Sequence, residues 1–295
     1  MATRDFAVDV AIYQPSDMSV YKLAGARQAI VKATEGLGYI NPKASAQIRS
    51  AHDNHMYLHA YHFATFGNNV GRAKAEAKFF VSRAKKLNIS KKRYLWLDWE
   101  TGDGNVIVNS TYSNTEAILA FMNVCHKAGY KVGLYSGAYV LRQHVDTAKI
   151  IKKYGTCLWV ASYATMGRID NPDFNYFPSM EGIAMWQFTD NWRGLGVDGN
   201  ITLKELITDK TDKPTPPKKE HKEAPKKAVG TVYVPVLYNN PNYKVRLLDG
   251  KGRYQKYIRT NTRWKVWDKK TIRGMKCYKI GTNQQWLPAK FAKIE

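Results

Sequence analysis

The chain has 295 residues, 44% of them hydrophobic and 13% aromatic, which allows one full-sized core plus a smaller module and excludes general disorder. No run of about 18 apolar residues could span a bilayer, and the start MATRDFAVDV lacks the basic head and apolar stretch of a secretory signal, so a protein made in the cytoplasm without membrane insertion is expected. The net charge of +22 is uneven: residues 230–295 hold 15 Lys and Arg against 3 Asp and Glu, whereas residues 1–207 hold 24 against 17.

Along the chain, short β-favouring runs recur between helical segments: DFAVDV, QAIVKAT, YLHAYHF, YLWLDWE, KVGLYSG, CLWVASY, GIAMWQF and a final VDGNIT. Two intervening segments carry helix punctuation. NPKASAQIRSAHDNH offers Asn41 as N-cap and Pro42 as first helical residue. SNTEAILAFMNVCHKAG offers a capping box of Ser113 and Glu116, an apolar stripe of Ile118, Phe121, Met122 and Cys125, and Gly129 past the end. Strand and helix in alternation predict an α/β fold with a mainly parallel sheet. About 200 residues is the lower limit for a closed barrel, so an abbreviated, irregular β/α barrel over residues 1–207 is expected.

Residues 208–229 hold four prolines and seven lysines but no aromatic or large aliphatic residue before Val229, and read as a solvated linker. Beyond it, TVYVPVLYNNPNYKVRLL, TRWKVWDKKTIRG, MKCYKIG and QQWLPAKF give short strands between Gly, Asn and Pro turns, hence a small all-β module over residues 230–295. Cys125, Cys157 and Cys277 are scattered and suggest neither a disulfide framework nor a metal site. His52, His55, His59 and His62 crowd one segment. The first pair reads as a helix end and the second as a strand start, with His59 and His62 on opposite faces, so no metal is expected there. No Gly-rich phosphate loop or Ser-His-Asp arrangement stands out, and no cofactor is expected.

The residues that invite a chemical reading are acids at the ends of strand-like runs: Asp9 in FAVDV, Asp98 and Glu100 in WLDWE, and Asp198 in GVDGN. Asp98 and Glu100 are two apart on a strand and share a face, where mutual repulsion opposes ionising both. If Asp98 is ionised, its charge holds the proton on Glu100. Ends of parallel barrel strands open on one face, so four carboxylates would converge there. Glycosidic cleavage needs one acid to protonate the leaving oxygen and negative charge or a nucleophile beside the oxocarbenium-like centre. Tyr61, Phe63, Tyr135, Trp159, Tyr163 and Trp186, near other strand ends, could serve as sugar platforms or as core.

The motifs FAVDVAIYQ, VKATEG, AYHFA, WLDWE, GLYSG, LWVASY, MWQFTD and GVDGN, in this order over residues 4 to about 203, resemble glycoside hydrolase family 25, the Chalaropsis-type lysozymes. The resemblance implies an irregular β/α barrel that cuts the β-1,4 bond between N-acetylmuramic acid and N-acetylglucosamine in peptidoglycan. It implies Glu100 as general acid, Asp9, Asp98 and Asp198 as the other acids, and Gln187 of MWQFTD among the substrate-binding residues. For this family a substrate-assisted route with retention is favoured, the 2-acetamido group attacking while an Asp such as Asp98 orients it. Ala11 stands where the family often has Ser, which removes a hydroxyl but no carboxylate.

The run WKVWDKKTIRGMKCYKIGTNQQWLPAKF resembles wall-anchoring repeats of surface-layer proteins and, more loosely, bacterial SH3-like wall-binding domains. Cations among aromatics suit an anionic wall polymer or a single-stranded nucleic acid equally by charge. The resemblance of the first domain decides for the wall. The combination resembles an endolysin that reaches the wall through a permeabilised membrane, with a bacterial autolysin or a non-catalytic wall-binding protein as alternatives.

Overall fold

A computed structural model describes residues 4–102, 104–208, 228–281 and 285–295. The chain divides into two compact units, Met1–Lys218 and Lys219–Glu295. Most of the expected linker, residues 209–227, lies outside the described residues.

The first unit runs β1 (Phe6–Val10), α1 (Ser19–Leu23), β2 (Gln28–Glu35), β3 (Tyr39–Ile40), α2 (Ala44–Asp53), β4 (Tyr57–Phe63), α3 (Val70–Lys86), β5 (Tyr94–Asp98), α4 (Thr111–Lys127), β6 (Lys131–Gly137), α5 (Ala138–His144), α6 (Thr147–Tyr154), β7 (Leu158–Ala161), β8 (Arg168–Ile169), β9 (Ile183–Thr189), β10 (Asn191–Trp192) and β11 (Asp198–Thr202). Eight strands close in the order β1-β11-β9-β7-β6-β5-β4-β2, with β2 returning to β1. All neighbours are parallel except β11, which runs antiparallel to both β1 and β9. The abbreviated barrel expected from the sequence is therefore found, and the reversed strand replaces a last full β/α unit.

Strand side chains alternate between two apolar layers, as a period of two requires. Tyr61, Trp96, Tyr135, Trp159 and Met185 fill the barrel, while Leu58, Ala60, Leu95, Leu97, Leu134 and Val160 face the helices. Five bulky interior residues leave little room. Gly133 pairs with Trp96 across β5 and β6, and a Cβ there would stand 2.1 Å from the indole and 2.8 Å from the Cys157 carbonyl. Glycine at this position lets the tryptophan plug the barrel.

The helix starts differ from the sequence reading. α2 begins at Ala44, not Pro42: Asn41 is fully buried, its Oδ1 accepts from the Lys43 N–H at 3.0 Å, and its Nδ2 holds the Lys32 carbonyl at 2.9 Å. The Lys43 contact is the i+2 bond of an Asx-turn, which closes a turn ahead of the helix instead of opening its first residue. α4 begins at Thr111, and its cap is Ser110, whose Oγ accepts from Ser113 N–H at 3.4 Å; Glu116 reaches Lys149 instead of closing a box. The stripe Ile118, Phe121, Met122 and Cys125 is buried as expected, packed toward α3 and β6.

The second unit holds β12 (Gly230–Val234), β13 (Lys244–Leu248), β14 (Tyr254–Arg259), β15 (Thr262–Val266), β16 (Asp268–Ile272), β17 (Met275–Lys279), β18 (Trp286–Pro288) and β19 (Lys293–Ile294). Two antiparallel sheets, β15-β12-β19 and β14-β13-β18-β17-β16, enclose Val232, Val234, Val245, Leu247, Ile258 and Leu287. Among the described residues the unit has no α-helix, in line with the all-β expectation.

Candidate active site

β1 ends near Asp9 and β5 ends at Asp98, with Glu100 just past it. Asp198 is not at a strand end as expected: it opens β11. Because β11 is reversed, its first residue lies opposite Asp9 in register. The phenol of Tyr61, buried inside the barrel, is held protonated by burial and by the charges of Asp9, Asp98, Asp198 and Glu100 together. All four expected acids thus surround one barrel mouth.

Their environments separate them. Asp98 is 6% exposed; burial first, and then the charge of Glu100, pushes its carboxyl well above the usual range, against a smaller opposing pull from Lys32. This reverses the expected emphasis, in which an ionised Asp98 kept the proton on Glu100. Asp98 Oδ1 is buried and accepts no hydrogen bond from the protein. Glu100 is only half-buried. Asp9 is also raised by burial, but Asn200 Nδ2 at 2.8 Å and Gln187 Nε2 at 3.0 Å donate to its Oδ2 and oppose the shift. Asp198 is pushed up to about 9 by burial and by the charge of Asp9, to which its carboxyl is hydrogen-bonded. Both are raised, but the hydrogen bond between them lowers Asp9 and raises Asp198, as two carboxyls sharing a proton require.

Gln187 is the hub of this network. Its Nε2 also approaches Asp198 Oδ2 at 3.4 Å, and its Oε1 accepts from the Tyr135 hydroxyl at 2.8 Å and the Tyr163 hydroxyl at 2.5 Å. With Oε1 occupied by two phenols, the amide must present its N–H groups to the acids. Tyr61, Tyr135, Tyr163 and Gln187 are therefore brought together with the acids at the barrel mouth. Phe63 lies beneath the Lys32 ammonium, 4.8 Å from its ring centroid, on the same wall.

Two expected platforms lie elsewhere. Trp159 is 1% exposed and forms the floor, its indole N–H donating to Asn200 Oδ1 at 2.7 Å. Trp186 faces out of the barrel, packed edge-on against Phe174, Phe177 and Phe188, with its N–H on the Ser162 carbonyl at 2.8 Å. The period of two that sends Gln187 inward sends its neighbour outward. His59 and His62 occupy opposite faces of β4 as expected. His59 bonds Gln28 at 3.0 Å, and His62 bonds Glu76 at 3.1 Å and Thr34 at 2.8 Å.

Several participants were missed by sequence reasoning. Asn200, two residues beyond Asp198, steers Asp9; the alternation within DGNIT could have pointed to it. Lys32 and Glu35, inside the KATEG motif, form an ion pair of 2.7 Å near Asp98. Asn105 and Gly67, from two separate loops, hold the backbone around Glu100, and nothing local in the sequence signals their meeting.

A buried acid with an open oxygen beside a half-exposed acid can protonate a leaving oxygen and support a developing positive charge. Comparisons with known proteins agree. The profile of the glycosyl hydrolases family 25 matches residues 8–197. A lysozyme of Lactococcus phage mv1 is 49% identical over 180 residues, 61% of this chain and 89% of that protein. A lysozyme of Streptococcus phage Cp-7 is 36% identical over 200 residues, and the match spans only 53% of that longer protein. The crystal structure of the modular Cpl-1 endolysin with a peptidoglycan analogue superposes with a TM-score of 0.59 at 26% identity, covering 97% of this chain and 71% of the other. With its barrel, its acids and this profile in agreement, the chain belongs to the glycosyl hydrolases of family 25.

Proposed function

We propose that the chain is a muramidase of the endolysin type that hydrolyses the β-1,4 bond between N-acetylmuramic acid and N-acetylglucosamine, with Glu100 as general acid and Asp98 as the partner of the substrate's acetamido group. The observation that carries this reading is Asp98 Oδ1: a buried acceptor without a protein donor, next to Glu100 at the mouth. A buried oxygen in that state costs on the order of 1–3 kcal/mol unless a ligand supplies the donor. An acetamido N–H is such a donor.

The chemistry follows from how one proton is shared. In the resting site burial holds a proton on Asp98. An N–H donated to Asp98 favours its charged form, so binding shifts the shared proton toward Glu100. Glu100 then protonates the glycosidic oxygen. The acetamido oxygen attacks the anomeric carbon from the opposite face as the leaving bond breaks, and Asp98 stabilises the positive charge that develops on the acetamido nitrogen. The Glu100 carboxylate next takes a proton from water, which opens the cyclic intermediate with net retention. Asp9 and Asp198, held by Gln187 and Asn200, line the same mouth and bind sugar hydroxyls.

The second unit is proposed to hold an anionic wall polymer. Residues 230–295 hold three acids against 15 Lys and Arg; Asp249 pairs with Arg253 at 2.7 Å and Glu295 with Arg263 at 2.9 Å, so most of the cations there are left uncompensated. Arg246 lies over exposed Tyr254 and Tyr257, 4.7 and 5.2 Å from their ring centroids. A cavity of about 430 Å³ is lined by Lys244, Arg259, Pro241 and Asn242. Such a surface attracts phosphodiester chains over a Debye length.

Digestion of Gram-positive peptidoglycan by the wild type and by Glu100→Gln, with borohydride reduction and mass spectrometry of the products, tests the assignment. New reducing ends on muramic acid, lost in the variant, are expected. Reducing ends on N-acetylglucosamine, or free peptides alone, would overturn it.

A further inference from the structure

Glu100 lies outside the hydrogen-bond ladder of β5, yet a general acid must hold its position within fractions of an ångström. Just before it, the Trp99 N–H donates to the Tyr135 carbonyl at 3.0 Å, and the Trp99 carbonyl accepts from Ser136 Oγ at 2.7 Å. The Glu100 carbonyl accepts from Asn105 Nδ2 at 2.7 Å. The two sides meet at a third point, the backbone of Gly67. Its N–H donates to Asn105 Oδ1 at 2.7 Å, and its carbonyl accepts from the buried Trp99 indole at 2.9 Å. Asn105 is itself 4% exposed, with N–H and carbonyl paired to Gly102. Gly67 has φ +55°, and a Cβ there would stand 2.8 Å from the Val106 carbonyl, so only glycine brings its backbone this close.

We infer that Asn105 and Gly67 form a staple that positions the general acid: it joins the loop after β4 to the loop after β5 and clamps the chain on both sides of residue 100. The inference rests on Glu100 acting as the acid. Asn105 touches no reacting atom. It acts through the Glu100 backbone and is a positioning residue. Its amide is used at both ends in fixed directions, since the oxygen must accept from Gly67 and the nitrogen must donate to Glu100. An aspartate has the same shape but, ionised, has nothing to donate. Protonated, it can accept with one oxygen and donate with the other, so acid should repair what the substitution breaks.

The experiment measures kcat and KM on soluble peptidoglycan fragments from pH 4 to pH 8 for the full chain, Asn105→Asp, Asn105→Ala and Gly67→Ala, with thermal melts of each at every pH. The expected result is a fall in kcat of about 10- to 100-fold for all three variants at neutral pH, with KM changed less than about 3-fold. The Asn105→Asp deficit should shrink at least several-fold toward pH 4, whereas those of Asn105→Ala and Gly67→Ala should not. Unchanged kcat in folded Asn105→Ala overturns the staple, as does an Asn105→Asp deficit that ignores pH or follows the melting temperature alone. Where Gly67→Ala does not fold, the two Asn105 variants decide. A wild type that cleaves no glycan would defeat the muramidase reading instead, which separates the two failures.

Discussion

In the barrel, ionisable groups are drawn out of water. Asp9 and Asp98 are 8% and 6% exposed, and burial raises the pKa of Asp9, Asp98 and Asp198. In the second unit the reverse holds: cations stand over exposed tyrosines, and the Asp249 carboxyl is pulled down by the backbone N–H and then the guanidinium of Arg253. Buried charge acts at short range and resists salt, whereas exposed charge acts at long range and is screened. Under the proposed function, desolvation in the first unit would serve bond-breaking and the hydrated charge of the second would serve capture.

The sharpest break between the units should appear at Glu100. Glu100→Gln is expected to lower kcat on soluble fragments by about 10³-fold or more while cell binding stays within about 2-fold, as measured by product release and pull-down on intact walls. Equal loss of both would merge the two roles. Next comes the plug of the barrel. Gly133→Ala forces a methyl group into the Trp96 indole and the Cys157 carbonyl, so a loss of about 2–3 kcal/mol in urea unfolding is expected, with the second unit's fluorescence transition unmoved. A common shift of both transitions would show that the units unfold as one.

Removing residues 219–295 should weaken binding to walls by about 10-fold at low salt and flatten its salt dependence, with cleavage of soluble fragments unchanged. A truncated chain that keeps the full salt slope would move the polyanion site onto the barrel. The smallest expected effect concerns the shared proton. The Asp198 pKa of about 9 lies far above that of an exposed aspartate, so the folded state binds this proton more tightly than the unfolded chain does. That stabilisation is complete below the unfolded pKa of about 4 and is lost as pH rises toward 9. Asp198→Asn should therefore gain about 1–2 kcal/mol relative to the wild type between pH 5 and pH 9 in thermal melts, since a half-buried carboxyl is partly screened. A variant that loses ground over this interval would show Asp198 ionised in the folded protein.

Much of the barrel could be read in advance because its strands have a strict period and its helices a clear stripe: Asp98 and Glu100, two apart in one run, needed no tertiary knowledge. Asp198 was found for an incomplete reason. A strand-end rule pointed to it, although it begins a strand, and only the reversal of β11 brings it to the mouth. Trp186 and Trp159 show the opposite limit. An aromatic at a strand end looks the same in sequence whether it faces in or out, and one residue of register decides. Helix starts at Asn41 and Ser113 failed for local reasons: Asn41 closes a turn onto Lys43 before the helix begins, and Ser110, three residues earlier, is the hydroxyl that caps α4. Asn105 and Gly67 were invisible for a different reason: their meaning is a contact 38 residues apart.

The reversed strand also bears on how the barrel comes into being. β1 and β11 are sealed by Asp5 N–H to Thr202 Oγ1 at 2.8 Å and Thr202 N–H to Asp5 carbonyl at 3.0 Å, contacts that close a loop of nearly the whole unit. Such long-range closure is the slow, entropically costly part of folding. On a ribosome, which delivers the N-terminal end first, β1 and β9 keep open edges until β11 emerges, and Asp9 has neither Asn200 nor Asp198 beside it until then. The paired carboxyls of the mouth are therefore assembled last, and the reversed strand sets the moment at which the barrel and its ring of acids are complete.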